Sequence, residues 1–253
     1  MPKTLNRRSV LRGAALTGTL GLAGCGQGIS DSAWVQWLLA RAEPLTYRVQ
    51  RLLGSSRGLA REYKDSDLSP LFKANGSIDP PDAEYRAHAA AGFADWRLEI
   101  GGLVETPLSL SLAALRAKPA RTQITRHDCV EGWSCIGKWK GVPLAALLEE
   151  AKPLPNARFV VFYCADTLHG TKYYESVDLE DAYHPQTILA YDMNDAPLTV
   201  AHGAPIRVRL ERMLGYKMAK YVMRIALVRD FKDIGDGKGG FWPDRGYEWY
   251  AGI

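Results

Sequence analysis

The stretch best equipped for chemistry is residues 125–143, Thr-Arg-His-Asp-Cys-Val-Glu-Gly-Trp-Ser-Cys-Ile-Gly-Lys-Trp-Lys-Gly-Val-Pro, which crowds thiols, an imidazole, charges and two indoles around glycines. Four chemistries are open to Cys129. As a nucleophile it would draw on His127, but side chains two apart on a strand share a face without the orientation a base needs, and no third partner is evident. A zinc site would combine Cys129, Cys135, Cys164 and one of five histidines, yet the chain has no Cys-x-x-Cys pair and no histidine spacing of the usual kind. A Cys129–Cys135 disulfide would make the stretch a stapled loop. The fourth is a thiolate ligand to a soft, redox-active metal.

The chain opens with Asn6-Arg7-Arg8-Ser9-Val10-Leu11-Arg12, an uncharged run from Gly13 to Gly24, and Cys25 directly after Leu22-Ala23-Gly24, the pattern of an export signal over residues 1–24. The arginine pair resembles the twin-arginine type, which exports folded proteins, and Leu-Ala-Gly-Cys resembles a lipoprotein box that would leave Cys25 as a lipid-carrying first residue. The uncharged run is far shorter than the ~20 residues of a spanning helix. A periplasmic location, or one otherwise outside the cytoplasmic membrane, is therefore expected, with membrane attachment through a lipidated Cys25. Export in the folded state suits a cofactor inserted beforehand.

Loss of the signal removes four basic residues and no acid, which takes 32 basic and 28 acidic residues to 28 of each. Near neutrality argues against a nucleic-acid partner, since phosphate binding is driven by excess Lys and Arg. Cys129, Cys135 and Cys164 are then an odd set besides Cys25, so in an oxidising compartment at least one thiol is free or metal-bound.

The elements that must position Cys129 follow from periodicity. Within residues 25–70, taken as an N-terminal helical segment and linker, Trp34, Trp37, Leu38, Leu45, Val49 and Leu52 fall near helical spacing broken by Pro44, which predicts two short amphipathic helices. Residues 54–86 predict a long irregular surface segment whose most pointed part is Phe72-Lys73-Ala74-Asn75-Gly76. Trp96, Leu98 and Ile100 alternate as a half-buried strand, and a helix capped by Ser109 or Ser111 is expected to carry Leu110, Leu112 and Leu115. A strand over 122–125 leads into the Cys129 stretch, and a helix beginning at Pro143 carries Leu144, Leu147 and Leu148, so that Cys129 lies after a strand and before a helix. Residues 159–164 predict a buried strand, 187–191 a shorter one, and 221–228 another. Ile206, Val208 and Leu210 alternate with arginines on a strand expected to be half exposed. Few, short helices among many strands predict a mixed, strand-rich α+β fold. The tail from Gly235 reads as a loop followed by an aromatic clamp, because Phe241-Trp242-Pro243 is a poor helix start for a phosphate loop.

Taken together, Arg126-His127-Asp128-Cys129-Val130-Glu131-Gly132-Trp133-Ser134, Trp139-Lys140-Gly141-Val142-Pro143-Leu144, Gly203-Ala204-Pro205-Ile206-Arg207 and Gly215-Tyr216-Lys217 resemble the sulfite-oxidase family of mononuclear molybdenum enzymes, over residues 70 to 231. The resemblance implies a sulfite-oxidase-type molybdopterin-binding domain over residues 71–253, a molybdenum–molybdopterin cofactor, and Cys129 as the one protein ligand to the metal. It assigns the pterin and its phosphate to Asn75, His202, Arg207, Lys217, Met218, Ala219 and Lys220, with Cys164 or its neighbours close by. It puts Trp139, Arg126 and Tyr173 or Tyr174 at the substrate, with Tyr174 the catalytic choice: an aromatic wall would keep water from the metal and a cation would hold an oxyanion.

One departure narrows the expectation. Animal and plant sulfite oxidases place an arginine where this chain has Ser134, which argues against sulfite. Cys-Val-Glu-Gly-Trp-Ser is closer to the bacterial exported branch that includes the catalytic subunit of the periplasmic methionine-sulfoxide reductase. That branch implies a membrane haem or cytochrome electron partner, and this chain has no Cys-x-x-Cys-His of its own. The expected function is two-electron oxygen-atom transfer on a sulfur compound or related oxide, with a small-molecule or methionine-sulfoxide-type substrate. The alternative is a cofactor-binding or scaffold lipoprotein of the envelope without turnover.

Overall fold

The computed structural model describes residues 32–53 and 58–253, so the signal over 1–24 and Cys25 lie outside the described residues. The chain divides into two compact units, residues 1–50 and 51–253. In the first, α1 (Ala33–Leu53) is one helix with Pro44 inside it, where two short helices were expected. Proline forfeits a single i−4 hydrogen bond and bends the axis, and the good helix formers Leu38, Ala40, Arg41 and Glu43 ahead of it carry the helix through. Trp34, Trp37 and Leu45 stand on exposed positions. Among the described residues no helix is long and apolar enough to cross a membrane.

The second unit is strand-rich α+β, as the periodicity indicated. One sheet runs, in spatial order, β2 (Leu108–Ser111), β1 (Arg97–Gly102), β10 (Val222–Val228), β5 (Phe159–Leu168) and β6 (Thr171–Asp178). The other runs β3 (Arg121–Asp128), β4 (Ser134–Pro143), β7 (Ile188–Met193) and β8 (Ala196–Pro197), with β9 (Arg207–Arg209) also paired to β7. β1 and β10 pair in parallel; the other pairs are antiparallel. The short helices α2 (Ala83–Ala90), α3 (Leu112–Arg116), α4 (Leu144–Ala151) and α5 (Leu179–Ala182) flank the sheets in sequence.

Local chemistry accounts for most of these bounds. Leu98 and Ile100 of β1 are buried while Arg97 and Glu99 are exposed, the period-2 signature of a sheet with one covered face. Ser111 caps α3 by accepting from the Ala114 amide at 3.1 Å, which leaves Leu110 in β2 instead of in the helix. Pro143 stands at the N-cap of α4, and Leu144, Leu147 and Leu148 are fully buried. They join one large core with Trp96, Phe162, Val208 and Leu227.

Cys129 is not followed by a helix. It opens the five-residue loop between β3 and β4, whose register closes on Asp128 opposite Ser134. Gly132 sits at φ +85°, which a side chain resists, so that its amide reaches the Cys129 carbonyl at 3.0 Å and the Cys129 amide reaches Trp133 O at 2.9 Å. Ser134 Oγ donates to Asp128 Oδ1 at 2.5 Å and Arg126 Nε to Asp128 Oδ2 at 2.9 Å, bracing the hairpin neck. A second difference is β9: its arginines, expected on a half-exposed strand, are both fully buried.

Candidate active site

The Cys129 loop forms one wall of a cavity of about 570 Å³, counting its open mouth, whose other walls include Asn75, Asp166, Tyr173, Lys220 and Trp242. Met218 and Tyr216 also face it. The three described cysteines are free thiols, and among the described residues no group of three or more His, Cys, Asp or Glu is placed to hold a metal.

Partial burial pushes the Cys129 thiol up; the amides of Glu131 and Val130 pull it back and the Glu131 carboxylate pushes it up again. On its own it stays protonated at neutral pH, and a metal would take the proton's place. His127 is no base for it. The ring is fully buried, with Nδ1 3.1 Å from Arg209 Nη1 and 3.2 Å from Met218 Sδ. Arginine can only donate, so Nδ1 accepts and the proton sits on Nε2. Burial, and then the charges of Arg209, Arg207 and Lys220, hold the imidazole neutral. Gly215 lies against this ring so closely that a Cβ there would stand 2.4 Å from Nε2, which fixes the 215–220 turn beneath the Cys129 loop.

Asn75 is brought in by its neighbour Phe72, which is buried edge-on to Trp139 at 5.2 Å between ring centroids and 5.7 Å from His127. His202 completes that anchor: its Nδ1 pairs with Thr199 Oγ1 at 2.8 Å and its Nε2 with Phe72 O at 3.1 Å. His202 therefore holds the Asn75 loop from behind and presents its own carbonyl to Arg207 Nη1 at 3.1 Å.

Several buried polar atoms around the cavity lack a partner within the protein. Asn75 Oδ1 is buried without a hydrogen-bond partner, and so are Nε and Nη2 of the fully buried Arg207. Burial, with the charge of Arg209, lowers the Arg207 guanidinium to about 9. Lys220 donates to Ser77 O at 2.5 Å and Ala201 O at 3.0 Å, and burial beside Arg207 brings it down to about 7. Arg207 and Lys220 converge because Gly203 has no side chain: a Cβ there would be 2.9 Å from Lys220 Cβ and 3.3 Å from Arg207 Cβ. Two cations packed together with spare donors, their nearest carboxylates, Asp166 and Glu211, acting only at a distance, fit an anion such as a phosphate. A buried amide oxygen fits a donor on a heterocycle, and a half-buried thiol fits a soft metal.

Other expected residues lie elsewhere. Lys217 is fully buried against Glu175 at 2.6 Å, so its charge is already matched. Burial pushes Glu175 up to about 7 against the pull of Lys217. Lys217→Met is expected to destabilise the fold by about 3–5 kcal/mol in urea unfolding, most strongly above pH 7, where the orphaned carboxylate must ionise or take up a proton. Ala219 is buried and contributes backbone bonds only, to Lys217 O and from the Val208 amide. Cys164 is buried in the large core. Trp139 is sealed beneath Arg209 and Arg207, whose guanidinium carbons stand 4.2 and 5.1 Å from its ring, and it does not reach the cavity. Arg126 is 54% exposed in its ion pair with Asp128, on the face of β3 opposite His127.

Alternation along β6 decides between the tyrosines. Tyr173 faces the cavity and donates to Tyr216 O at 2.5 Å, whereas Tyr174 turns to the other face and donates to Asp244 Oδ2 at 2.5 Å. The structure thus brings Cys129, Asn75, Met218 and Lys220 to the cavity, sets Arg207 and His202 behind them, and puts Tyr173 where Tyr174 was expected. Asp166, Ser77 and Trp242 line it without having been singled out; only Trp242 had a local signal, in the aromatic tail.

Residues 86–233 match the family model described as the oxidoreductase molybdopterin binding domain. A proposed protein-methionine-sulfoxide reductase subunit of Azospira oryzae, YedZ1, is 36% identical over 247 residues, 97% of this chain and 87% of that one. The protein-methionine-sulfoxide reductase catalytic subunits MsrP of Campylobacter jejuni and Gluconobacter oxydans are each 34% identical, over 54% and 60% of this chain. Those matches span about half of the two relatives, 50% and 52%. The crystal structure of the sulfane dehydrogenase SoxCD of Paracoccus pantotrophus superposes with a TM-score of 0.49 at 23% identity, covering 58% of this chain and 45% of that chain.

Proposed function

The chain belongs to the oxidoreductases built on a molybdopterin-binding domain, and from that premise we propose that it uses a molybdenum–molybdopterin cofactor, with Cys129 as metal ligand, for two-electron oxygen-atom transfer on sulfoxides of the methionine-sulfoxide class. The observation that carries this reading is the meeting, at one cavity, of the free Cys129 thiol, the unpartnered Asn75 Oδ1, and Lys220 backed by the unpartnered Arg207 nitrogens. When bound, the cofactor supplies a redox metal able to exchange an oxygen atom and two electrons with a substrate.

The chain's own contribution is positioning and shielding. The Cys129 loop is set by the hairpin neck and Gly132 before any metal arrives, so ligation needs little reordering. Arg207 and Lys220 would hold the phosphate, the fork giving direction and the ammonium charge. Tyr173, Leu168 and Trp242 give the cavity an apolar wall against water. The Tyr173 hydroxyl, pushed far up by burial, stays protonated at every working pH.

The names of the methionine-sulfoxide reductases among its relatives support the substrate class, and Ser134, which is spent on Asp128, supplies no cation for sulfite. Electrons would come from a membrane haem or cytochrome partner, and the protein would work outside the cytoplasmic membrane, held there through Cys25. With molybdenum-loaded protein and an artificial electron donor or acceptor, turnover of methionine sulfoxide should exceed turnover of sulfite by at least about 100-fold, the size expected when a buried charged contact is missing. Faster sulfite oxidation would refute the substrate class. Bound pterin with no turnover on either compound would favour the scaffold reading.

A further inference from the structure

β5 is irregular where it passes the cavity. Its pairing with β6 shifts register between Tyr163 and Thr167, and its pairing with β10 shifts at Val222 and Arg224. Such bulges re-aim side chains beside functional sites. Here the irregular stretch turns Asp166 toward the cavity, while Cys164, two residues earlier, joins the core.

Asp166 is 4% exposed. Its Oδ2 accepts from Ser77 Oγ at 2.9 Å, and its Oδ1 is buried with no partner. A buried carboxylate oxygen left unbonded costs the fold free energy, and none of the sheet's pairing depends on it. Lys220 and Lys172 face the carboxyl and favour its ionised form, Lys172 being held by Asp82 at 2.6 Å and by Ala165 O at 3.0 Å. Tyr85, Tyr173, Tyr221 and the Cys164 thiol also feel its charge, and burial keeps each of the four protonated. Burial of Asp166 outweighs the two lysines and Ser77, and pushes the carboxyl up to about 6.

Resting on the sulfoxide-reductase reading above, we propose that Asp166 is the proton donor of the Cys129 cavity, its Oδ1 delivering a proton to the oxygen that leaves the substrate. In the reductive direction the S–O bond of the sulfoxide breaks, and sulfur gains two electrons supplied by an external haem or artificial reductant. The oxygen takes up two protons and departs as water, so that one sulfoxide, two electrons and two protons give one thioether and one water. Asp166 gives one of the two protons and solvent the other. The resulting carboxylate is held by the Ser77 hydroxyl and the neighbouring Lys220 charge, and it regains its proton from water at the cavity mouth.

The test uses molybdenum-loaded protein with methionine sulfoxide and a chemical reductant, from about pH 5 to 8, comparing the native chain with Asp166→Asn and Asp166→Glu. The native kcat should fall as pH rises through the carboxyl's titration. Asp166→Asn should lower kcat by roughly 10²–10⁴-fold and abolish that limb, with molybdenum and pterin per chain unchanged, and Asp166→Glu should recover part of the rate. In cofactor-free protein, the infrared difference between the native chain and Asp166→Asn should show a protonated-carboxyl band titrating near pH 6, over and above the Glu175 band that both proteins keep.

An Asp166→Asn variant with native kcat and native pH profile overturns the proposal. So does one that loses pterin in step with activity, because Asp166 would then be a cofactor contact, and so does the lack of the titrating band. A native chain that is fully loaded yet turns over no sulfoxide refutes the reaction itself and the proposal with it, whereas an effect confined to the variants bears on Asp166 alone.

Discussion

Cys129→Ser should lower sulfoxide turnover by more than about 100-fold while leaving the unfolding midpoint of the cofactor-free protein nearly unchanged. Mutations that only reorient a metal ligand typically cost about 10–100-fold, and replacing the ligand itself removes the soft sulfur donor outright. The fold has little stake in that sulfur. The thiol is half buried, and the loop is held by backbone bonds from the Cys129 and Gly132 amides and by the Ser134–Asp128 contact, all of which a serine keeps. Paired measurements of molybdenum per chain, turnover and urea midpoint separate the outcomes. Native turnover in the serine variant would show that Cys129 is not the ligand, and a collapsed midpoint would show the thiol to be structural.

Arg207→Met is expected to have opposite effects on the two forms of the protein. In the cofactor-free chain the guanidinium is fully buried, makes one hydrogen bond to a carbonyl, and lies beside the second cation Arg209. Its folded pKa of about 9 lies below the ordinary arginine value. The charged form therefore opposes folding fully at pH below 9, and the opposition fades only as pH rises beyond that. Methionine, long and apolar, should leave the cofactor-free fold as stable or more stable, by about 1–3 kcal/mol. In the loaded protein the same change removes charge-assisted bonds to the phosphate, worth about 1.5–3 kcal/mol, so pterin retained after dialysis should weaken by roughly 10- to 100-fold. A destabilised apo variant with native retention would mean that Arg207 serves the fold alone.

That double character explains why β9 was misread from sequence. Ile206, Val208 and Leu210 alternate with arginines as they would on a half-solvated strand, yet both arginines are buried, Arg209 forked onto Glu211 at 2.9 and 2.6 Å and Arg207 bonded to His202 O with Nε and Nη2 left unpartnered. Local periodicity cannot separate an arginine facing water from one facing a ligand. β6 was missed for a related reason: Lys172, Glu175 and Asp178 make it look polar, but Glu175 is matched by Lys217, 42 residues away. β4 hid behind Gly137, Lys138, Lys140 and Gly141. The strand works because Gly141 has no side chain, a Cβ there falling 2.1 Å from Leu189 O of β7, and that closeness is invisible until the sheet exists.

What was legible had a one-sided environment or a motif behind it. β1 and α4 each bury one face, so their periods survive in the sequence. The Cys129 motif carried the resemblance that implies a thiolate ligand, and the stretches around Asn75 and Lys220, which line the same cavity, were picked out by that resemblance before any geometry. Asp166 ends the apolar run of β5 and carried no signal, because its place at the cavity depends on the strand's irregular pairing. Tyr173 and Tyr174 could be separated only by knowing which face of β6 meets the cavity.

Binding of molybdenum by the Cys129 sulfur at this cavity is tested most directly by X-ray absorption at the molybdenum edge of the loaded protein. The Cys129→Ser variant should retain the sulfur scattering of the pterin dithiolene and show one sulfur fewer than the native chain around the metal. Equal sulfur numbers in the two proteins would contradict ligation by Cys129.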